Sequence, residues 1–195
     1  MSVSLARIIV DGYCQTHERL LTLIEKLSDT QLHWRPTPKG LSIAFHLWHV
    51  ARWADYLQAA LPGMTPRLQQ QFGIRPQQWE HDNLAVHWGF STEQLGFAQT
   101  GMAMPDELAS TLLFPEKTVL LTYVRNAFAA VAAVVRDMEE DQLTEAEQPQ
   151  PLTEGIWQAG LVGGVLAAHM LHDNRHLGAI ECLVGSQIGV GTATV

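Results

Sequence analysis

Histidines are the residues of this sequence whose spacing could support chemistry. Nine occur in the 195-residue chain, and three of them lie close together at His169, His172 and His176. If this segment is helical, His172 and His176 lie one turn apart on one face, and His169 lies one turn before His172. Apolar residues extend this face in both directions, namely Val162, Val165, Leu166, Ala179, Ile180 and Leu183. The segment is therefore either a group of hydrogen-bonded core histidines or half of a metal site.

Two further histidines lie in a predicted helix over residues 42–60, for which Ser42 is a suitable N-cap. One face of this helix carries Ser42, Phe45, His46, His49, Trp53 and Tyr56. Histidines at positions i and i+4 can bind one metal ion, but a third ligand must come from another helix. His49 is the natural candidate because it lies on this inward-facing seam. Three protein ligands leave a coordination position open, which is typical of a catalytic site.

We therefore predict that His49, His172 and His176 bind a divalent metal ion. Zinc or nickel is the expected metal, and iron and copper also suit three imidazoles. His46 and His169 are then neighbours of the site, either lining a pocket or acting as hydrogen-bond partners of the ligands.

Trp53 and Asp173 are the other residues that we expect beside this site. Trp53 follows His49 by one turn on the same seam. Asp173 is adjacent to His172 but points away from the seam, so we expect it to support a ligand or to lie at the surface. No Ser-His-Asp arrangement is readable in the sequence, and no catalytic side chain is assigned beyond the metal ligands.

The two cysteines, Cys14 and Cys182, fall within predicted helices. We expect each to be a small buried residue rather than half of a disulfide. Apolar surroundings raise the pKa of a thiol, so a cysteine nucleophile is not expected. His17 lies near the edge of the apolar stripe of the first helix, and we expect it at the surface or at the boundary of the core.

The composition indicates one domain, residues 1–195, with enough apolar side chain for a sizeable core, since 47% of the residues are hydrophobic. A net charge of −8 and only 12 basic residues argue against nucleic acid as a partner. The N-terminus lacks the pattern of a signal peptide, and the longest weakly polar run, residues 160–170, is too short to span a bilayer. We therefore expect a cytoplasmic protein without a membrane partner.

Hydrophobic periodicity predicts four long amphipathic helices, which implies an all-α four-helix bundle. They cover residues 3–27, 42–60, 115–139 and a final segment that starts between 156 and 163 and ends near 184. Pro115 is expected in the first turn of the third helix, and Gly185 is expected to end the fourth. Residues 28–41 are predicted to be a loop, and residues 140–155 a solvated acidic linker.

Residues 61–115 form a long insertion between the second and third helices. Prolines and glycines are interspersed there with the aromatic residues Phe72, Trp79, Trp88, Phe90 and Phe97. Because disordered segments avoid aromatic residues, we expect a packed insertion with short helices near 76–81, 91–100 and 105–113. Such a connection can form one wall of a pocket. His81 and His87 lie in this insertion and are expected at the surface.

The third helix contains the run 127–135, which is apolar nearly all round and rich in alanine. Small residues let another helix approach closely, so this run is the predicted interface of a homodimer. The low charged fraction of the chain, 16%, fits a surface that is partly covered by a second subunit.

Two motifs resemble those of the DinB-like (YfiT-like) superfamily. The first is Trp34-Arg-Pro-x-Pro-x-Gly-Leu-Ser-Ile-Ala, followed at the second helix by Trp48-His49-Val-Ala-Arg. The second is His172-x-x-x-His176-x-Gly178 near the C-terminus. The resemblance extends from the first helix to Gly185, although residues 61–115 are longer than in compact members. Ala179 stands where the family often has glutamine, and His46 and His169 are additional histidines.

The resemblance implies a bundle whose three metal ligands match His49, His172 and His176. It also implies transfer of a low-molecular-weight thiol, such as mycothiol or bacillithiol, to an electrophilic small molecule. The alternatives are a hydrolase that uses metal-activated water and a non-catalytic stress-response protein whose metal site is closed by His46 or His169. A DNA-associated protein, which the damage-inducible name of the family suggests, ranks last because the net charge is −8.

Overall fold

The computed structural model describes residues 5–146, 148 and 160–189, and the structural statements below refer to these residues. Its long helices are α1 (Leu5–Glu25), α3 (Ile43–Ala60), α8 (Lys117–Asp137) and α9 (Val162–Ile188). Its short helices are α2 (Asp29–His33), α4 (Pro66–Phe72), α5 (Gln78–His81), α6 (Leu84–His87) and α7 (Asp106–Ala109). Helices α1 and α3 each pack against both α8 and α9. The predicted all-α four-helix bundle is confirmed.

The second long helix has the bounds that its sequence predicts. The Ser42 side chain accepts a hydrogen bond from the backbone N–H of Phe45 at 3.2 Å, which satisfies one of the free donors of the first turn. The helix ends at Ala60, and the chain continues as a 3₁₀ turn over Leu61–Met64. Most of α3 is buried, so side chains on several of its faces contact other parts of the protein.

The other ends of the helices differ from the prediction. Helix α8 begins at Lys117, with Pro115 outside it, because the Asp29 carboxylate accepts a hydrogen bond from the Lys117 backbone N–H at 2.7 Å. Gly185 stays helical, and α9 ends at Gly189, whose φ of 71° gives the left-handed C-terminal cap. Part of the predicted loop 28–41 is the short helix α2, which starts at a capping box between Ser28 and Gln31.

The insertion between α3 and α8 is packed, as the aromatic residues predict, and its short helices lie partly where they were expected. Helices α5 and α7 fall within the segments expected at 76–81 and 105–113, a 3₁₀ turn over Thr92–Gln94 replaces the helix expected at 91–100, and α4 and α6 lie outside the expected segments. Trp79 and Leu95 are fully buried, and both belong to the main core. His81 and His87 are exposed, as expected. The insertion therefore covers one side of α3.

The acidic segment after α8 is not wholly a solvated linker. A 3₁₀ turn over Glu140–Thr144 buries Gln142 and Leu143. Arg67 at the start of α4 forms ion pairs with Glu139, Asp141 and Glu145 at 2.6–2.9 Å. The rest of the predicted linker, residues 147 and 149–155, lies outside the described part of the chain.

Helix α8 provides much of the core. Within the run 127–135, the residues Ala127, Phe128, Val131, Val134 and Val135 are buried inside the bundle, and Ala129 and Ala133 remain exposed. This helix alone among the described residues is long and apolar enough to cross a membrane, contrary to the expectation that no segment would be. Half of that stretch is buried against other helices, which is how the core helix of a bundle packs.

Candidate metal centre

Helices α3 and α9 bring His49, His172 and His176 together. One ring nitrogen from each histidine lies within 4.8 Å of the others. The ring centroids of His49 lie 5.0 Å from His172 and 4.6 Å from His176, and the two rings on α9 are 4.6 Å apart. His49 is buried, and the two α9 histidines are half-buried. The three predicted ligands therefore form one cluster at the contact between the two helices.

A backbone carbonyl fixes which nitrogen of His49 carries the proton. Nδ1 of His49 lies 2.5 Å from the carbonyl oxygen of Thr100, in the insertion. Because a carbonyl oxygen only accepts hydrogen bonds, Nδ1 must be the donor. In the neutral ring, Nε2 then has a free lone pair, which is the form of histidine that binds a metal ion.

A buried carboxylate does the same for His172. Nδ1 of His172 donates to Oδ1 of Asp173 at 2.8 Å, and Nε2 of His17 donates to Oδ2 at 2.9 Å. Burial alone would raise the pKa of Asp173, but the hydrogen bonds from His17 and His172 outweigh it and hold the pKa well below its usual value. Asp173 therefore orients His172, and at 1% exposure it does not lie at the surface. The expectation that His17 lies at the surface or at the core boundary is wrong.

His17 is 3% exposed and belongs to the core. Its ring stacks on Phe128 of α8 with centroids 3.9 Å apart. The reason for the difference is tertiary, because α1 and α9 pack so closely that His17 meets Asp173 across their contact. The sequence around a polar residue at the edge of an apolar stripe does not indicate that a distant carboxylate will pair with it.

The Nε2 atoms of His49 and His172 face each other. Their Nε2 atoms are 3.0 Å apart, and in this pair of neutral tautomers neither carries a proton. Burial, with a contribution from the neighbouring His172, lowers the pKa of His49 to about 3. The ring of His49 is therefore neutral at neutral pH, with its single proton on Nδ1 and none on Nε2. Tetrahedral metal–nitrogen bonds of about 2.0–2.1 Å would separate two ligand atoms by about 3.3 Å. A divalent cation therefore fits this pair of nitrogens.

His176 completes the set with help from His46. The Nδ1 atoms of these two rings are 3.0 Å apart, and with His176 as the donor its Nε2 is left free as the third ligand. Burial lowers the pKa of His46 to about 4, and burial together with His49 lowers that of His176 to about 2. A group that can accept a hydrogen bond thus lies beside Nδ1 of each of the three rings: a carbonyl for His49, a carboxylate for His172 and the imidazole of His46 for His176. His46 therefore contacts one of the three clustered histidines.

His169 and Trp53 lie behind the ligands. His169 is 1% exposed, and its ring packs edge-on against Trp53 with centroids 5.6 Å apart. Trp53 also meets His49 and His172 edge-on. Within the described residues, the cluster able to hold a metal ion consists of His49, His172 and His176, and neither His169 nor His46 belongs to it.

Neither cysteine belongs to the histidine cluster of the described residues. Cys14 is buried in α1, as expected, and burial raises the pKa of its thiol. Cys182 is exposed on α9, contrary to the expectation that it would be buried. A helix of 27 residues packed on α1 and α3 keeps one face in solvent, and Cys182 lies on that face.

The sequence contains a signal for further site residues that the periodicity analysis does not use. Polar residues recur every third position along α3, at His46, His49, Arg52, Asp55 and Gln58. Arg52, Asp55 and Gln58 are at most 3% exposed, on a helix whose other buried residues are largely apolar. Buried charges require partners, so this repeat could have identified a polar network continuing from the histidines.

A tight turn of the insertion lies directly on His49. Gly101 has a φ of 87°, and a Cβ atom added to it would lie 3.1 Å from Nδ1 of His49 and 2.8 Å from Cζ3 of Trp48. Only glycine combines this conformation with so close an approach. The turn therefore reaches His49 because residue 101 has no side chain.

The fold and the cluster together define an all-α bundle in which three histidines that could hold a metal ion lie between two of its long helices. The family model of the DinB superfamily matches residues 13–180. The chain therefore belongs to the DinB superfamily.

A similar fold is found in a crystal structure of a conserved protein from Enterococcus faecalis, with a TM-score of 0.59 over 96% of this chain and 99% of that one. The two sequences are 19% identical, so the likeness concerns the fold alone. Among curated proteins the chain has no match.

Proposed function

We propose that this protein is a divalent-metal-dependent enzyme in which His49, His172 and His176 hold the ion. The observation that carries the proposal is the convergence of three imidazole rings whose Nδ1 atoms each have an acceptor. Their metal-binding nitrogens are thus oriented before any ion binds, which reduces the cost of forming the site. Three protein ligands leave room for a small molecule in the coordination sphere.

A bound divalent ion lowers the pKa of a thiol or water at the open position and so supplies a nucleophile at neutral pH. The chain itself contributes orientation and exclusion of water. Asp173 and the Thr100 carbonyl hold the rings of His172 and His49, and Trp53 covers their inner side. Because His49 is buried, its neutral form is available as a ligand at neutral pH.

The nucleophile that we propose is a low-molecular-weight thiol, which makes the protein an S-transferase acting on an electrophilic small molecule. The thiols of the chain itself are poorer candidates, because burial raises the pKa of Cys14 and neither cysteine belongs to the histidine cluster of the described residues. Thiol transfer is the activity that the resemblance to the DinB-like superfamily implies, and this supports the proposal. Zinc or nickel is the proposed ion, and iron and copper suit the same ligands.

Two other functions remain candidates. A hydrolase would use water in place of the thiol at the same open position. A non-catalytic stress-response protein needs a closed site, and this is less well supported because the cluster does not include His46 or His169. We also propose that the protein is cytoplasmic and forms a homodimer without nucleic acid or membrane partners.

Metal analysis of the purified protein tests the central proposal. We expect about one divalent ion per chain in the wild type and a large loss in His49→Ala and His176→Ala. His81→Ala is the matched control, because His81 is exposed and lies outside the cluster. A wild-type protein that holds no stoichiometric ion after purification with added metal would refute the proposal.

A panel of small thiols with monochlorobimane then distinguishes the candidate functions. An S-transferase forms the fluorescent thioether faster than the uncatalysed control, and His176→Ala abolishes the acceleration. A hydrolase shows no acceleration with any thiol but cleaves ester or amide substrates in a metal-dependent manner. Stoichiometric metal without either activity would favour the non-catalytic alternative.

A further inference from the structure

A fully buried arginine lies one turn beyond His49 on α3. Arg52 is 0% exposed, and its guanidinium group has five N–H donors. Each donor has an acceptor at 2.9–3.2 Å, and these acceptors are the carbonyls of Ala98 and Gln99, the side-chain oxygens of Gln77 and Asp55, and the hydroxyl of Tyr123. The group is therefore completely satisfied, which is what allows a charged group to be buried.

The two backbone carbonyls belong to residues with an unusual conformation. Ala98 has a φ of 46° and Gln99 a φ of 54°, in the left-handed region that side chains normally avoid. The amide N–H of Gln99 donates to the carbonyl of Gly96 at 3.1 Å, which closes a tight turn. Residues in such conformations persist only where their surroundings hold them, and Arg52 donates to both carbonyls.

The next residue in this turn is Thr100, whose carbonyl accepts the proton of His49 Nδ1. Thr100 is 0% exposed, and its hydroxyl is bonded to the Phe97 carbonyl at 2.7 Å. A change in the conformation of Ala98 or Gln99 would rotate the peptide groups that follow and move this carbonyl. Arg52 and His49 are therefore connected in two ways. They lie three residues apart on α3, and both donate hydrogen bonds to carbonyls of residues 98–100.

Asp55 and Tyr123 hold the arginine in place from its other side. Asp55 accepts from Arg52 at 3.0 Å and from the Tyr123 hydroxyl at 3.2 Å. Asp55 also accepts hydrogen bonds from the backbone N–H groups of Gln78 and Trp79 at 2.9 and 2.8 Å, so it anchors the start of α5. If Arg52 is replaced, the Asp55 carboxylate therefore still accepts hydrogen bonds from the Tyr123 hydroxyl and from the two backbone N–H groups.

We propose that Arg52 is a positioning residue for the metal centre. It holds Ala98 and Gln99 in the left-handed conformation, which places the Thr100 carbonyl against Nδ1 of His49 and leaves Nε2 free for the metal ion. This inference rests on the metal site of the proposed function, but the position of the His49 proton can be measured without any metal.

The first measurement uses the metal-free wild-type protein. Nitrogen-15 NMR of its labelled histidines reports which ring nitrogen of His49 is protonated. We expect protonated Nδ1 and unprotonated Nε2 at neutral pH. Protonated Nε2 in the wild type would overturn the proposal, whatever the variants do.

The second measurement uses Arg52→Lys, which keeps a positive charge beside Asp55 but cannot donate to both turn carbonyls. We expect a mixture of the two His49 tautomers and a metal affinity reduced by about 10- to 100-fold, the usual effect of losing an outer-shell partner. Arg52→Gln, which buries no charge, serves the same purpose if the lysine variant fails to fold. Unchanged tautomer and affinity in a folded variant would refute the positioning role.

A rescue experiment separates positioning from general stability. Glycine adopts the left-handed conformation without steric cost, so Ala98→Gly should partly restore the His49 tautomer and the metal affinity of the Arg52→Lys protein. A purely structural role of Arg52 predicts no such rescue. The control is Arg67→Lys, which weakens exposed ion pairs far from the turn and should leave the His49 tautomer unchanged.

Failure of this inference can be distinguished from failure of the proposed function. If the wild type binds no metal but its His49 tautomer changes in Arg52→Lys, the positioning role stands and the metal-enzyme proposal fails. If metal binds normally and neither the tautomer nor the affinity responds to Arg52, the proposed function stands and the positioning role is refuted.

Discussion

Replacement of Asp173 by asparagine should disable the metal centre while preserving its shape. The carboxylate accepts a hydrogen bond from His172 on one oxygen and from His17 on the other. An amide has one accepting and one donating end, so it can serve only one of the two histidines in this way. If its N–H group faces His172, that ring must accept at Nδ1 and carry its proton on Nε2, where it blocks the metal ion.

The opposite orientation of the amide also has a cost. His17 would then accept at Nε2 and carry its proton on Nδ1, which is buried without a hydrogen-bond partner. Both orientations also lose the charge on Asp173. A hydrogen bond to a charged group contributes about 1 kcal/mol more than a neutral one, so the two bonds together suggest a loss of about 2 kcal/mol in unfolding free energy.

The assay combines isothermal titration with a divalent ion and urea denaturation of the metal-free protein. We expect the Asp173→Asn variant to bind metal about 10- to 100-fold more weakly, which corresponds to about 1.4–2.7 kcal/mol. Glu181→Gln is the matched control, since it makes the same chemical change on α9 at a surface ion pair with Arg19. Wild-type metal affinity together with an unchanged His172 tautomer in Asp173→Asn would refute the reasoning.

Three further predictions concern stability and assembly. Burial lowers the pKa of His49, His169 and His176 to about 3, 4 and 2, against about 6.5 in the unfolded chain, so the stability of the metal-free protein should fall as the pH drops below about 6.5. The unfolding free energy should fall by up to about 1.4 kcal/mol per pH unit for each histidine. An unfolding free energy from urea denaturation that does not change between about pH 7 and 5 would contradict this prediction. Gly101→Ala should lower the unfolding free energy by about 2–4 kcal/mol in the same assay and weaken metal binding. The control is Gly89→Ala, which has a φ of 75° and open space around it, so it shows the conformational cost of alanine without a steric clash. Light scattering should give a homodimer, and a monomer would count against the assembly predicted from residues 127–135.

The dimer prediction illustrates how a sequence pattern can have two explanations. An apolar run on a helix signals burial, but it does not identify what covers the helix. In residues 127–135, Val131 and Val134 are covered by other helices of the same chain, which leaves Ala129 and Ala133 as the small exposed residues of the run. The expected dimer would therefore have a narrower apolar contact than the sequence alone suggested.

Local sequence determined the main helices and the placement of the candidate ligands on them. The spacing of His172 and His176 is a property of helix geometry, and Ser42 sets the start of α3 through a bond to Phe45, three residues away. His49 follows from the same periodicity. These features depend on residues close together in the chain, so the sequence specifies them without knowledge of the rest of the molecule.

The tertiary structure decided how the candidate ligands are held. His17 is 156 residues from Asp173 along the chain, and the Thr100 carbonyl is a backbone group with no side-chain signal for its contact with His49. The same holds for Arg52, whose partners lie in the insertion and on α8. Such contacts depend on how the helices pack and on the path of an irregular turn. The sequence thus determined which histidines could bind a metal ion, and only the packing decided which groups hold each ring in place.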